Sequence, residues 1–394
     1  MSTPNGGALA GLRLDDPEVV EAGDSGGLLR RVASAAAQVR TSLRASEEAG
    51  LSLSRPRAIV VAAGGASALA GDALAAVCGS GTQIQVITVR GYQLPGWVGA
   101  ADLVLGVSAS GAGAEVLALA REAVRRGCDF TGIGPAKSPL ADLAEQARAG
   151  YVPVSVDGSG RSSLWALLVP LVFIAARAGA ARISDGEYEA AASLLEEVSH
   201  QCRPSSESFM NPAKSLALDI WGTVPLIWGA SPLAAVAARR FASLLAQNAK
   251  YPAVAGEFPT VAHDQVAILD GPFAPAPAPA FPSAEDLGAL GDDEDDDIDD
   301  DVPGTPELRL VLLADTAGEH EADTRMREAA ESIAGDRRVL TSGLTLDGEG
   351  SLRRLASVTQ VLDYASAYLG IAAGLDPLAS PARGDLRNLA QQAG

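Results

Sequence analysis

The chain has 394 residues, 47% of them apolar and only 4% aromatic, and its 49 acidic and 30 basic side chains give a net charge of −19. That length suffices for two cores. The acidic balance, with no basic stripe, excludes a nucleic-acid-binding body, which needs cations to displace counterions from phosphates. The three cysteines, Cys78, Cys128 and Cys202, lack metal-ligand spacing and read as free thiols of a reducing cytoplasm.

In chain order, the first residues lack the basic-then-apolar order of a signal peptide, and residues 15–50 read as one or two helices. Residues 57–63 are apolar without a break after Arg57, the pattern of a strand buried on both faces. The run ends in Gly64-Gly65-Ala66-Ser67, with a helix expected from Ala68. Further strands near 83–88, 102–107, 130–133 and 151–155 alternate with helical segments. This argues for an α/β fold built on doubly wound parallel sheets. The longest apolar run, 164–176, is too short to span a bilayer and contains Pro170, so it reads as a buried or interface helix.

The second half echoes the first. Residues 226–245 resemble 60–77, and 310–335 resemble 103–127. The separation of the paired turns is 45 residues in the first copy (Gly65 to Ser110) and 86 in the second (Gly229 to Asp315). Much of the excess is a Pro/Ala-rich and then acidic stretch, 271–304. Residues 285–301 alone hold 11 acidic side chains and no basic ones, leaving about −8 for the rest of the chain. Such a segment buries no apolar area and is expected as a disordered surface loop. The resulting division is an N-terminal helical segment 1–54, a first lobe 55–185, and a second lobe 186–394 carrying the insertion.

A strand that ends in a tight small-residue turn opening a helix aims backbone N–H groups and a helix dipole at an anion. Two such turns stand on neighbouring strand ends. One holds Gly65, Ala66 and Ser67; the other, Ser108-Ala109-Ser110-Gly111, offers two hydroxyls two residues apart. Together they favour a phosphate site. The rival dinucleotide fingerprint over 111–116 lacks its third glycine and an acidic residue for a ribose. Arg161 follows a strand within reach of a bound anion. His263 is placed just before a strand, at a sheet edge or crevice where active sites gather.

With these residues in place, the chain resembles the bacterial and archaeal bifunctional phosphoglucose/phosphomannose isomerases, two-lobed proteins of the sugar isomerase (SIS) fold. The resemblance covers roughly residues 55–394. It rests on GGASALAGD (64–72), SASG (108–111), Arg161 and the helix after it, QNAK (247–250), His263 and DYASAYLG…GLDP (363–377). It implies that Gly65, Ala66 and Ser67 contact a hexose phosphate, that Ser108 and Ser110 bind its phosphoryl group, and that Arg161 helps hold it. It also implies that His263 opens the sugar ring at the interface of a cytoplasmic homodimer. Arg387 falls where the family places a lysine thought to assist ring opening. Neither cofactor nor metal is implied, and no membrane or nucleic-acid partner.

The chain departs from the family pattern where proton transfer is concerned. The usual catalytic glutamate is Gln247, sixteen residues before His263, and a neutral carboxamide cannot take a proton from carbon. Gly113 replaces the threonine of the phosphate loop, and Ala66 stands where glycine is common. Two readings follow. One is an isomerase of glucose 6-phosphate and mannose 6-phosphate with fructose 6-phosphate, using another carboxylate (Glu257 or Asp264) as base. The other is a catalytically impaired SIS protein that binds sugar phosphate as a regulator or scaffold. A transcription regulator of this fold would need a basic helix-turn-helix that residues 1–50 do not offer.

Overall fold

The computed structural model describes residues 13–156, 160–275 and 306–392. Three helices come first: α1 (Pro17–Gly23), α2 (Leu28–Ala33) and α3 (Ala35–Glu48). Asp16 accepts the Glu18 N–H at the start of α1, and Pro17 has no N–H to satisfy, so α1 begins with two of its leading positions accounted for.

The first sheet comprises β1 (Ala58–Ala63), β2 (Gln85–Val89), β3 (Leu103–Val107), β4 (Asp129–Gly134) and β5 (Gly150–Pro153). All pairings are parallel, in the order β2-β1-β3-β4-β5. Every residue of β1 and of β3 is buried, which explains why these strands lack alternation: helices cover both faces. Those helices include α4 (Ala66–Cys78), α5 (Ala114–Arg125), α6 (Pro139–Ala147) and α7 (Leu164–Arg177). The apolar run around Pro170 is the α7 helix, with eleven buried residues, and it packs on α3 and α4.

Helix α8 (Asp185–Gln201) opens on a capping box between Ser184 and Glu187. Then come α9 (Pro212–Ile220), β6 (Thr223–Gly229), α10 (Pro232–Leu244), β7 (Val254–Glu257), a short α11 (Val261–Asp264), β8 (Glu307–Ala314), α12 (Glu321–Asp336), β9 (Leu340–Thr345), α13 (Ser351–Ala372) and α14 (Pro381–Gln392). The second sheet is again parallel, ordered β7-β6-β8-β9. This is the β2-β1-β3-β4 order repeated, so the internal echo in the sequence is an echo in topology.

The lobes join through helices. In the second lobe α10 packs on α4 of the first, and α13 lies against α8, α9 and α10. One apolar cluster runs from Leu14 through β1 and α7 to Ala372, across both lobes. No described helix is long and apolar enough to cross a membrane.

Three expectations shift. The N-terminal region forms three helices where one or two were expected, because Gly27, at φ +68°, breaks the chain between α1 and α2. The helix after β1 begins at Ala66, two residues early, which places Ala66 and Ser67 in its first turn. His263 does not precede a strand. It sits in α11, after edge strand β7, and residues Val266–Asp270 form a 3₁₀ turn. Their apolar side chains pack into a local cluster with Trp228 and Phe258, so burial holds this run without ladder pairing. The Pro/Ala-rich and acidic stretch falls, beyond residue 275, outside the described residues.

Candidate active site

In an open parallel sheet, ligands bind beyond the carboxyl ends of the strands where the winding direction reverses. Here that point lies between β1, whose next strand pairs on one side, and β3, which pairs on the other. Both candidate turns sit there.

At the first turn Gly65 is the N-cap of α4, with φ +53° and ψ −134°, a backbone conformation that favours glycine. No side chain caps α4, and none caps α5, whose N-cap is Gly113. Each helix therefore opens without a side-chain acceptor for its first N–H groups. Ser67 is buried, and its Oγ accepts the Ala109 N–H at 3.2 Å, tying the first turn to the second.

The second turn is closed by the Gly111 N–H donating to the Ser108 carbonyl at 3.1 Å, with Gly111 at φ +63°. The Ser108 and Ser110 hydroxyls lie 3.4 Å apart, and Ser110 Oγ accepts the Ala112 N–H at 3.3 Å. Ser108 is buried while Ser110 is exposed, so the pair leads from the protein interior to the surface. Their geometry suits two oxygens of one anion.

Arg161 is brought close to these turns by the residue before it. A Cβ placed on Gly160 would lie 3.4 Å from the Ala66 Cβ and 3.5 Å from the Ala109 Cβ. The buried Arg161 guanidinium then turns toward the second lobe. It donates to the carbonyls of Pro377 (2.6 Å) and Gln247 (3.3 Å) and to Ser380 Oγ (2.7 Å). Burial, with Arg383 nearby, pushes its pKa down from the ordinary value, against the pull of Asp376. The structure thus joins Arg161 to Gln247 and places its charge on second-lobe carbonyls.

Gln247 sits in a single π turn, Leu245–Ala249, that continues α10, the kind of helix irregularity common at functional sites. Its Nε2 donates to Ser243 Oγ at 2.8 Å and to the Ser243 carbonyl at 3.2 Å. The following Asn248 donates to Ser366 Oγ at 2.9 Å. Lys250, at φ +57°, donates to the Asp376 carbonyl at 2.8 Å. Burial, then the neighbouring Arg161, lowers the pKa of its ammonium.

The other expected residues are not gathered here. His263 is exposed in α11, and among the described residues no hydrogen bond links it to the turns. Glu257 ends β7 and pairs with Arg239 at 2.9 Å on the surface, while Asp264 is exposed beside His263. Arg387 lies in α14, and its side chain is outside the described residues.

One residue at the crevice escapes a reading by motif. A Cβ on Gly64 would lie 2.0 Å from Glu115 Oε1, and one on Gly113 would lie 3.4 Å from the same atom. The Glu115 carboxylate therefore lies against both turns. Among the described residues it has no hydrogen-bond or ion-pair partner. The sequence signal was available: a carboxylate in the first turn of a helix reaches back toward the N-terminus and the strand ends beside it.

The repeated strand order and the crevice at the first switch point define a two-lobed α/β protein of the SIS sugar-isomerase fold. Solved structures share it. A hypothetical protein from Thermus thermophilus superposes with a TM-score of 0.65 at 17% identity, over 93% of this chain and 91% of that one. The tagatose-6-phosphate ketose/aldose isomerase of Escherichia coli gives 0.57 at 15% identity, over 96% and 98%. Residues 209–389 match the family model for the bacterial phospho-glucose isomerase C-terminal SIS domain. The bifunctional phosphoglucose/phosphomannose isomerase of Caldicellulosiruptor bescii is 24% identical over 322 residues, 81% of this chain and 85% of that protein. The chain is thus similar to a bifunctional phosphoglucose/phosphomannose isomerase over most of its length, and its second lobe carries the match to the isomerase C-terminal SIS domain.

Proposed function

We propose that the chain binds a hexose phosphate at Gly65, Ala66, Ser67, Ser108 and Ser110, and that it interconverts glucose 6-phosphate or mannose 6-phosphate with fructose 6-phosphate. The observation that carries this reading is the Ser67 Oγ to Ala109 N–H bond, which ties together two glycine-containing turns whose helices lack a side-chain cap. Arg161 borders the cradle from the side of the second lobe. In this reading the first lobe is 55–185, the second 186–394, and residues 1–54 form a helical brace. A cytoplasmic homodimer, in which His263 serves a neighbouring subunit, belongs to the same proposal.

Aldose–ketose exchange needs a base that takes the C2 proton and returns it to C1 through a cis-enediol, a role for a carboxylate. Gln247 is neutral and its Nε2 is held by Ser243. Glu257 is paired with Arg239. Glu115 lies on the turns themselves and is the carboxylate best placed for the crevice.

A second reading, favoured by Gln247 itself, is a sugar-phosphate binder with impaired catalysis that acts as regulator or scaffold. One experiment separates the two. Fructose 6-phosphate is mixed with the pure protein, aldose formation is followed, and binding is measured separately by calorimetry. Turnover at an ordinary enzymatic rate, lost in Glu115→Gln, supports the isomerase. Binding without turnover, with activity restored by Gln247→Glu, supports the binder. Binding unchanged in Ser110→Ala overturns the phosphate-site assignment.

A further inference from the structure

The second lobe contains the same pair of turns at its own switch point. Ser231 is the N-cap of α10 after β6, as Ser67 lies in the first turn of α4 after β1. Asp315 is the first residue after β8, as Ser108 is after β3. Gly318 stands where Gly111 stands, and the closing bond is the same: the Gly318 N–H donates to the Asp315 carbonyl at 2.9 Å, the Gly111 N–H to the Ser108 carbonyl at 3.1 Å.

What fills the two cradles differs. In the first lobe the first residue of the turn offers a hydroxyl. In the second it offers a carboxylate that is fully buried. Asp315 Oδ2 accepts from Ser231 Oγ at 2.6 Å, and Oδ1 accepts from Arg354 Nη1 at 2.5 Å. A second carboxylate, Glu319, takes the Asp315 backbone N–H at 2.5 Å and pairs with Arg327 at 3.3 Å. A Cβ on Gly318 would fall 2.3 Å from Asp315 Oδ2, so no free volume remains on that side.

We infer that Asp315 is a built-in anion: its carboxylate occupies the second cradle where a phosphoryl group would sit, and it restricts the chain to one sugar phosphate, held by the first lobe. This rests on the proposed sugar-phosphate reading for the identity of the ligand. The occupancy of the second cradle stands independently of it. The charge balance is complete. Arg354 supplies the cation, Ser231 the neutral donor, and the carboxylate replaces an external oxyanion with the same hydrogen-bond geometry. A phosphate dianion entering beside Asp315 and Glu319 would meet two buried like charges, which is prohibitive at this depth.

The test uses the full chain with fructose 6-phosphate and with inorganic phosphate as probes. Calorimetry is expected to give one fructose 6-phosphate per chain, with affinity unchanged by Ser231→Ala. Asp315→Ala is expected to lower the melting temperature, and phosphate or formate should restore part of the loss at matched ionic strength. Once phosphate exceeds its Kd about tenfold, the rise should be roughly 2 °C. It should come on top of any rise shown by the wild-type chain and by Asp315→Ala/Arg354→Met, in which phosphate has only the first cradle to fill. Should Asp315→Ala fail to fold, the wild-type stoichiometry and its insensitivity to Ser231→Ala still decide. Two sugar phosphates per chain, one of them lost in Ser231→Ala, overturn the inference, as does a folded Asp315→Ala that gains no more from these anions than the wild-type chain. If the wild-type chain binds no fructose 6-phosphate while Asp315→Ala is still rescued, the sugar-phosphate reading fails and the built-in anion remains.

Discussion

Arg240 and Asp363, 123 residues apart in sequence, form a bidentate ion pair inside the molecule, with Nε to Oδ1 at 2.8 Å and Nη2 to Oδ2 at 2.5 Å. The same Nη2 donates to the Arg161 carbonyl at 2.9 Å. Burial pushes the Asp363 carboxylate up from its usual range, and Arg240 opposes that shift. The pair therefore carries the backbone from which the Arg161 side chain reaches Gln247.

Removing one partner strands a buried charge. Asp363→Ala is expected to cost about 3–5 kcal/mol in urea unfolding, whereas Arg240→Met/Asp363→Leu, which removes both charges, should recover most of it. Fructose 6-phosphate affinity should stay weakened in the recovered double variant, because Arg161 has lost its anchor. A double variant that is stable and binds normally would show that the pair does not position Arg161.

Gly111→Ala meets two obstacles, its φ of +63° and a new Cβ 2.3 Å from the Ser138 Cβ. Gly179, at φ +83° with nothing within 4 Å of its Cβ position, meets only the first. Gly179→Ala should cost about 1 kcal/mol, and Gly111→Ala at least twice that, since relieving the clash means moving Ser138, which caps α6. Thermal melts of the two variants check the ranking. Only Gly111→Ala should also weaken phosphate binding.

Burial pushes the Cys78 thiol up to about 11 and the Cys202 thiol up to about 12. At pH 8 the Cys78 thiolate fraction is then about one in a thousand, against roughly a quarter for an unperturbed thiol. Alkylation of the native protein followed by mass spectrometry should leave both unmodified over minutes, with reaction on addition of denaturant. Because the folded values lie above the unfolded one, these thiols add stability below about pH 8.5 that is lost as the pH rises. Rapid labelling of native Cys202 would contradict the packing around it.

Asp102 accepts from Arg57 at 2.6 Å and from the Gly99 N–H at 2.9 Å. Burial raises its pKa, but these hydrogen bonds outweigh it and the net shift is downward. A lowered carboxylate contributes stability that is present above its unfolded value, about 4, and is lost as the pH falls through the folded one. Asp102→Asn should therefore melt lower than wild type at neutral pH, with the gap closing below about pH 4. A gap that is constant with pH would remove the ion pair from the account.

Strands β1 and β3 were legible because a sheet covered on both faces needs uninterrupted apolar residues, and 58–63 and 103–107 supply them. The glycine and serine turns were legible for the same local reason. Residues brought together over long distances were not. The Pro377 carbonyl reaches Arg161 across 216 positions, and nothing in either local pattern announces it. The π turn at Gln247 packs on α13, and helical periodicity alone does not reveal it. The strand expected after His263 failed because Val266–Asp270 gains its burial from the Trp228 cluster. Glu115 was visible as a residue in a rejected fingerprint, and only the fold shows it lying on Gly64.

The apolar cluster shared by the two lobes has a consequence for how such a molecule diverges. Repeats with separate cores can be cut apart, recombined, or lost one at a time. Here α7, α10 and α13 contribute to one interior, so neither half can be shed without exposing the other. The second lobe is thus retained even where its cradle is closed, and its sequence is free to drift in ligand chemistry but bound to its neighbour by solubility.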